Sequence, residues 1–307
     1  MAQPDTSASK RDSLLGVTCG ALSFLIWGLG PVYWKALGEV PSLEIICHRV
    51  IWSFLFLLPI LFFSNQWREA VSALKNSRTM LVLLGTTVLL TCNWLIFVWA
   101  INNDYVLQTS LGYYINPLIN VLLGVVFLKE RLRPLQLMAV LLAVGSVLFL
   151  TFQYGAFPWI ALVLALTFGF YGLIRKVAPV GPAAGLSLEM FLACWPAAAY
   201  LVYLDTTGTG SLFHVSRTID LLFIGTALIT ALPLLLFNLG AKLLNLSTVG
   251  FLQYIAPSCF FLLAVFLYQE PISAGQVGAF VVIWIALVSY SIDSLVYYRR
   301  TVLPNTP

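Results

Sequence analysis

Charge is scarce in this chain. Asp, Glu, Lys and Arg make up 9% of its 307 residues, against about a quarter in ordinary soluble domains. That deficit excludes a water-facing surface as the main boundary of the fold. Basic residues form no long run; they stand singly or in twos and threes at the ends of apolar stretches, so the net charge of +4 does not describe a nucleic-acid surface. Cysteine pairs are missing too. Cys19, Cys47, Cys92, Cys194 and Cys259 fall in five separate apolar segments, which offers neither a zinc spacing nor a disulfide framework and points to packing. No His-Glu-x-x-His, no Gly-rich loop ending in Lys-Ser/Thr and no Gly-x-Ser-x-Gly occurs. The sequence therefore carries no catalytic, metal or cofactor signature.

What the chain does have is apolar length. Hydrophobic residues reach 60% and mean hydropathy is +0.94. Stretches long enough to cross a ~30 Å hydrocarbon core recur with short polar joints between them. Spans are expected at 14–33, 43–63, 79–100, 106–128, 135–152, 156–174, 183–204, 218–240, 247–267 and 273–293. The run from Leu14 follows Lys10 and Arg11 as a secretory signal would, but it is long enough to span and lacks a small-residue cleavage pattern, so it reads as a retained first helix. Of the sixteen Lys and Arg, thirteen fall on the side of the N-terminus, Lys35 and Arg217 on the other, and Arg49 within a span. The positive-inside rule then puts both termini in the cytoplasm.

The second half repeats the first. At an offset of 140, Tyr114, Ile115, Pro117, Leu122, Leu123, Val125, Glu130, Gln136 and Ala139 recur as Tyr254, Ile255, Pro257, Leu262, Leu263, Val265, Glu270, Gln276 and Ala279. Earlier echoes are Trp27-Gly28 with Phe168-Gly169, Ser42-Leu43-Glu44 with Ser187-Leu188-Glu189, and Gly85-Thr86 with Gly225-Thr226. The expected fold is all-α and polytopic, ten transmembrane helices arranged as two five-helix repeats. The repeats occupy 14–152 and 156–293, with short tails at 1–13 and 294–307. Five is odd, so the second copy enters the membrane from the other side and is inverted, which is the architecture of alternating access around a shared centre.

Polar groups inside a bilayer need a cavity, a partner or a function. In the second span Glu44, His48 and Trp52 share one helical stripe with Arg49 adjoining. They form either an anion- or proton-sensitive element or a packing cluster whose arginine reaches the headgroups. In the fourth span Tyr113, Tyr114, Asn116 and Asn120 surround Pro117, and in the ninth Gln253 and Tyr254 precede Pro257. Each proline frees the carbonyl four residues before it, so Pro117 and Pro257 are expected hinges, with a simple packing kink as the alternative. Trp27, Trp52, Trp94 and Tyr114 lie deeper and either form an aromatic box for a planar or cationic solute or serve as packing and lipid-facing residues, while Trp34 and Trp99 near span ends suit the interfacial belt. Asn93 either bonds another helix or lines the cavity. Glu130 and Glu270 end their spans and are expected to cap the turns that follow; Gly16-x-x-x-Gly20 permits a close helix approach.

The ten spans, the duplicated Tyr-Ile-x-Pro and the terminal Glu resemble the EamA branch of the drug/metabolite transporter superfamily. Within it, Pro31-Val32-Tyr33-Trp34-Lys35, Glu44 to Trp52, Cys92-Asn93-Trp94 and Gln108 to Leu118 resemble the RarD-type group. The resemblance implies a basket in which helices 1–4 and 6–9 surround a cavity while 5 and 10 pack outside, and it implies export of small metabolites or drugs. One departure stands out: Ala193-Cys194 occupies the place where a second His-Arg would fall. The expected partners are a small-molecule substrate and the lipid bilayer, with no nucleic acid and with a homodimer left open. The expected function is secondary transport; a membrane-embedded enzyme acting on a lipid or lipid-linked group is the alternative, for which Glu44 and His48 supply the nearest acid/base pair.

Overall fold

The computed structural model describes residues 6–38, 40–103, 105–269 and 273–302; Glu270 lies outside them. Regular structure among the described residues is entirely helical. The elements are α1 (Thr6–Ala36), α2 (Ser42–Phe63), α3 (Trp67–Lys75), α4 (Ser77–Asn102), α5 (Val106–Phe127), α6 (Pro134–Tyr154), α7 (Trp159–Val177), α8 (Pro182–Thr207), α9 (Arg217–Leu243), α10 (Leu246–Gln253), α11 (Ile255–Leu262) and α12 (Ala274–Val302). Ten stretches are long and apolar enough to cross a membrane, and they coincide with the expected spans to within a few residues. With an even number of crossings, both termini share one face, here called the terminal face.

Helix α3 is the element that hydropathy alone does not announce. It is too short to span, and it buries Ala70 and Ala73 while Trp67, Val71 and Leu74 stay exposed. Its first turn reaches the start of α8. Glu69 Oε1 accepts from Gly181 N at 2.6 Å and Gln66 Oε1 from Ala184 N at 3.1 Å, satisfying donors that a helix start leaves without intrahelical partners.

The ninth span is broken where the fourth is continuous. α10 ends at Gln253, Tyr254 N turns back to Phe251 O at 3.2 Å, and α11 then runs into a π-helical turn over Leu263–Leu267. Pro257 cannot donate to the Gln253 carbonyl, and the break falls beside that carbonyl. Pro117 sits inside α5 without interrupting it. The duplicated prolines thus produce one break.

Packing between the halves explains why neither half forms its own core. α1 packs on α9, α10 and α11; α2 on α8 and α9; α4 on α7 and α8; α5 on α7 and α10; α6 on α12. Exchanging spans one to five for spans six to ten maps every one of these pairings onto another or onto itself, as expected of halves related by a twofold axis. Apolar lipid supplies no drive for helices to associate, so close approach matters. At the α1–α9 crossing a Cβ on Gly240 would lie 3.2 Å from Gly16 O and 3.3 Å from Gly20 N, so both glycines of the Gly-x-x-x-Gly motif are used.

At the terminal face helix ends are stitched across elements. Lys176 Nζ of α7 donates to Ala241 O at 2.9 Å and to Leu244 O at the end of α9, and Lys242 Nζ of α9 donates to Ala178 O at 2.7 Å at the end of α7. Each cation meets the negative pole of the other helix. Glu130 differs from expectation: it caps no adjoining turn, but accepts from Leu246 N at 2.6 Å and from Ser247 N and Oγ at 2.9 and 2.6 Å, closing the start of α10 in the opposite half. Arg133 and Asp293, 2.5 Å apart, join α6 to α12.

Candidate functional site

The first turns of α2 send their polar side chains in two directions. Glu44 is buried and accepts from Ser211 N at 2.6 Å and Ser211 Oγ at 2.9 Å, which ties α2 to the connection between α8 and α9. His48, one turn on, stacks on Phe223 with ring centroids 3.9 Å apart. Its Nε2 is 3.9 Å from Glu44 Oε1, too far for a hydrogen bond, and has no other partner. Trp52 packs near Leu37, Val40 and Phe223 with Nε1 buried and unbonded. Glu44, His48 and Trp52 therefore form an anchor for a connection, and the stripe they share lies beside the face that carries Arg49.

Arg49 points between the halves. Its Nε donates to Thr230 Oγ1 of α9 at 2.9 Å. Its guanidinium carbon lies 4.7 Å from the Trp34 ring centroid and 4.8 Å from that of Trp94, close enough for cation–π attraction. Tyr113 of α5 is near enough to interact with it electrostatically, and the Tyr113 ring is held edge-on by Phe97 and Phe260. Trp34, expected in the interfacial belt, instead covers the arginine. Trp99 is exposed and stacks on Tyr105, as a belt residue would.

Around this centre the other expected residues divide. Asn93 Nδ2 donates to Leu164 O and Thr167 Oγ1, both at 2.9 Å, and so resolves toward helix bonding between α4 and α7. Trp27 meets Phe24, Phe168 and Phe237 at 5.7, 5.8 and 6.1 Å, and Trp94 borders the same cluster. Asn120 Nδ2 donates to Gln253 Oε1 at 2.7 Å across the two halves, while Asn120 Oδ1 and Asn116 Oδ1 are buried without partners. Tyr114 leaves the expected box: its ring packs edge-on against Phe280 of α12, and its carbonyl accepts from Tyr254 Oη at 3.4 Å. A straight helix cannot turn Tyr113 and Tyr114, about 100° apart, toward the same side.

A second polar cluster has no place in the sequence expectations. Arg175, counted among the orientation charges of the loops, is fully buried, as is Glu189, and their Nε and Oε1 are 3.5 Å apart. Thr86 donates to Glu189 Oε1 at 2.5 Å, Tyr171 to Glu189 Oε2 at 3.3 Å, and Asn238 Nδ2 to Tyr171 Oη at 3.0 Å. Arg175 Nη2 also donates to Pro182 O at 3.2 Å. Gly185 makes room for this, because a Cβ there would overlap Arg175 Nη1. The echo of Ser42-Leu43-Glu44 in Ser187-Leu188-Glu189 was the signal for the glutamate. Thr86, Asn238 and Thr230 gave none. No group of three His, Cys, Asp or Glu able to hold a metal occurs among the described residues.

The sequence model of the EamA-like transporter family matches residues 14–152, the first five spans. Relatives match both halves. A transporter of Bacillus subtilis, YojE, is 44% identical over 292 residues, covering 93% of this chain and 96% of its own length. The chain belongs to the EamA-like transporter family. Its RarD-type character follows from the RarD protein of Escherichia coli, 40% identical over 286 residues with 93% and 97% covered. A chloramphenicol-sensitive RarD protein of Pseudomonas aeruginosa is 31% identical over 294 residues, covering 94% and 98%. One crystal structure superposes with a TM-score of 0.68 at 19% identity over 92% of this chain and 98% of the solved one, which shows the fold alone. This EamA-family chain is thus a multi-pass bacterial inner-membrane transporter, and its aromatic-lined arginine lies between the two halves.

Proposed function

We propose that this transporter exports a small aromatic or amphipathic metabolite by alternating access, with both termini cytoplasmic. The observation that carries the reading is the exchange symmetry of the packing, in which each span of one half finds its partner in the other. Two such halves rocking about a fixed centre expose it first to one face and then to the other. Arg49, Trp34, Trp94 and Tyr113 are the residues at that centre, and Asn116, Asn120 and Gln253 stand beside the broken ninth span.

The crossed lysines mark the gate at the terminal face. In a cysteine-free background, Lys176→Cys and Leu244→Cys bridged by a bis-methanethiosulfonate reagent should stop solute exchange in proteoliposomes, and reduction of the bridge should restore it. Undiminished exchange by the cross-linked protein would overturn the reading. The enzyme alternative needs an accessible acid/base pair, whereas Glu44 and His48 are buried and Ser211 is committed to Glu44.

A further inference from the structure

Two other arginines with described partners have a carboxylate beside them: Arg133 has Asp293 and Arg175 has Glu189. Arg49 has a hydroxyl. No described carboxylate pairs with it, and its one hydrogen bond uses Nε, leaving both terminal amino groups uncommitted. Neither amino group is among the sealed, unbonded atoms of the interior, so the end of the fork keeps accessible surface. The guanidinium carbon lies over the Trp34 and Trp94 rings at 4.7 and 4.8 Å, so the charge is flanked by indole faces while its two terminal amino groups keep the fork that binds a carboxylate through two parallel hydrogen bonds.

We propose that Arg49 is the anchor for a carboxylate on the transported solute, so that the central site selects flat organic monoanions over their neutral and cationic counterparts. This rests on the transport reading for what the site is for, not for whether it binds. The single charge follows from the surroundings. His48 is turned onto Phe223 and Glu44, Lys35 lies over the Tyr268 ring at 3.5 Å, and neither supplies a second cation to the fork. The flat body follows from the walls, since the indoles of Trp34 and Trp94 and the edge-held ring of Tyr113 offer planar faces. A bound carboxylate would supply to Arg49 what Asp293 and Glu189 supply to Arg133 and Arg175.

The test is equilibrium binding to the full-length protein in nanodiscs, using radiolabelled indole-3-acetate, its neutral isostere indole-3-acetamide and the cation tryptamine, with acetate, benzoate and chloride as competitors. Indole-3-acetate should bind at least ~10-fold more tightly than the amide, a gap of about 1.4 kcal/mol, and benzoate should compete better than acetate or chloride. Arg49→Gln should erase the preference for the anion, Arg49→Lys should keep part of it, and Thr230→Val, which frees the guanidinium without removing it, should weaken it several-fold. Melting temperatures of the variants close to that of the parent identify an effect on the site. Equal binding of acid and amide, a preference surviving in Arg49→Gln, chloride competing as well as benzoate, or no carboxylate binding at all would each overturn the proposal. Because binding is read without flux, a protein that binds the anion yet never exchanges solute would sink the transport reading and leave the anion site standing.

Discussion

Arg175 of the second half and Arg49 of the first show two ways of keeping a guanidinium within a membrane protein. The former lies against Glu189, whose oxygens are also held by Thr86 and Tyr171, and nothing of it reaches open space. The latter rests on one hydroxyl and two indole faces. Glu44, which echoes Glu189 in sequence, spends both oxygens on Ser211 and leaves Arg49 uncompensated. The two arginines are not counterparts in the repeat, since Cys194 stands where a second Arg49 would fall; each half has its own buried cation and meets it differently. The contrast teaches that the symmetry of the backbone is not a symmetry of the chemistry: one half closes its arginine in an ion pair, and the other leaves its arginine on a hydroxyl and two indole faces.

The contrast makes predictions that can be ranked. Glu189→Gln leaves Arg175 buried without a counter-charge, and removing one partner of such a pair costs about 3–5 kcal/mol. The melting temperature in detergent should fall sharply, and Arg175→Met with Glu189→Leu should recover most of it; an unshifted single variant would break the comparison. Gly185→Ala forces a Cβ into the guanidinium and should cost ~1–3 kcal/mol by overpacking, read in the same melting assay. Arg49→Gln should move stability by less than about 1 kcal/mol or raise it, because two cation–π contacts of ~0.5–1 kcal/mol each are lost while a ~2.5–3.5 kcal/mol intramembrane charge is removed. A large loss of stability there would erase the difference from Arg175.

Most of the fold was legible because a bilayer imposes one length and one polarity on every span. The ten spans, the duplicated Tyr-Ile-x-Pro and a close helix approach at Gly16 and Gly20 follow from pattern, and the structure supplies α9 as the helix that makes the approach. What escaped is lateral. Arg175 and Glu189 belong to successive helices joined by a short turn, and hydropathy reads their segment ends as ordinary loop flanks. Helix α3 had a readable signature in Trp67, Ala70, Val71 and Leu74, spaced at three and four residues, but it is too brief for a search tuned to spans. Glu130 was recognised as a cap, yet which helix it caps depends on the interleaving of the halves, and no local rule supplies that. At the centre, Arg49 was legible because charge is rare within a span, Tyr113 through the proline motif it precedes and Trp94 through the Asn93 beside it, while Thr230 is one hydroxyl among many and becomes visible only through its bond to Arg49.

The reciprocal lysines of α7 and α9 carry a consequence for how the terminal face opens. Since each ammonium is lodged on the other helix's final carbonyls, withdrawing one alone strips a donor from one tail while its counterpart still tethers the pair. A half-parted arrangement is therefore worse than either extreme. If the halves rock as proposed, separation there is a concerted event with a sharp threshold.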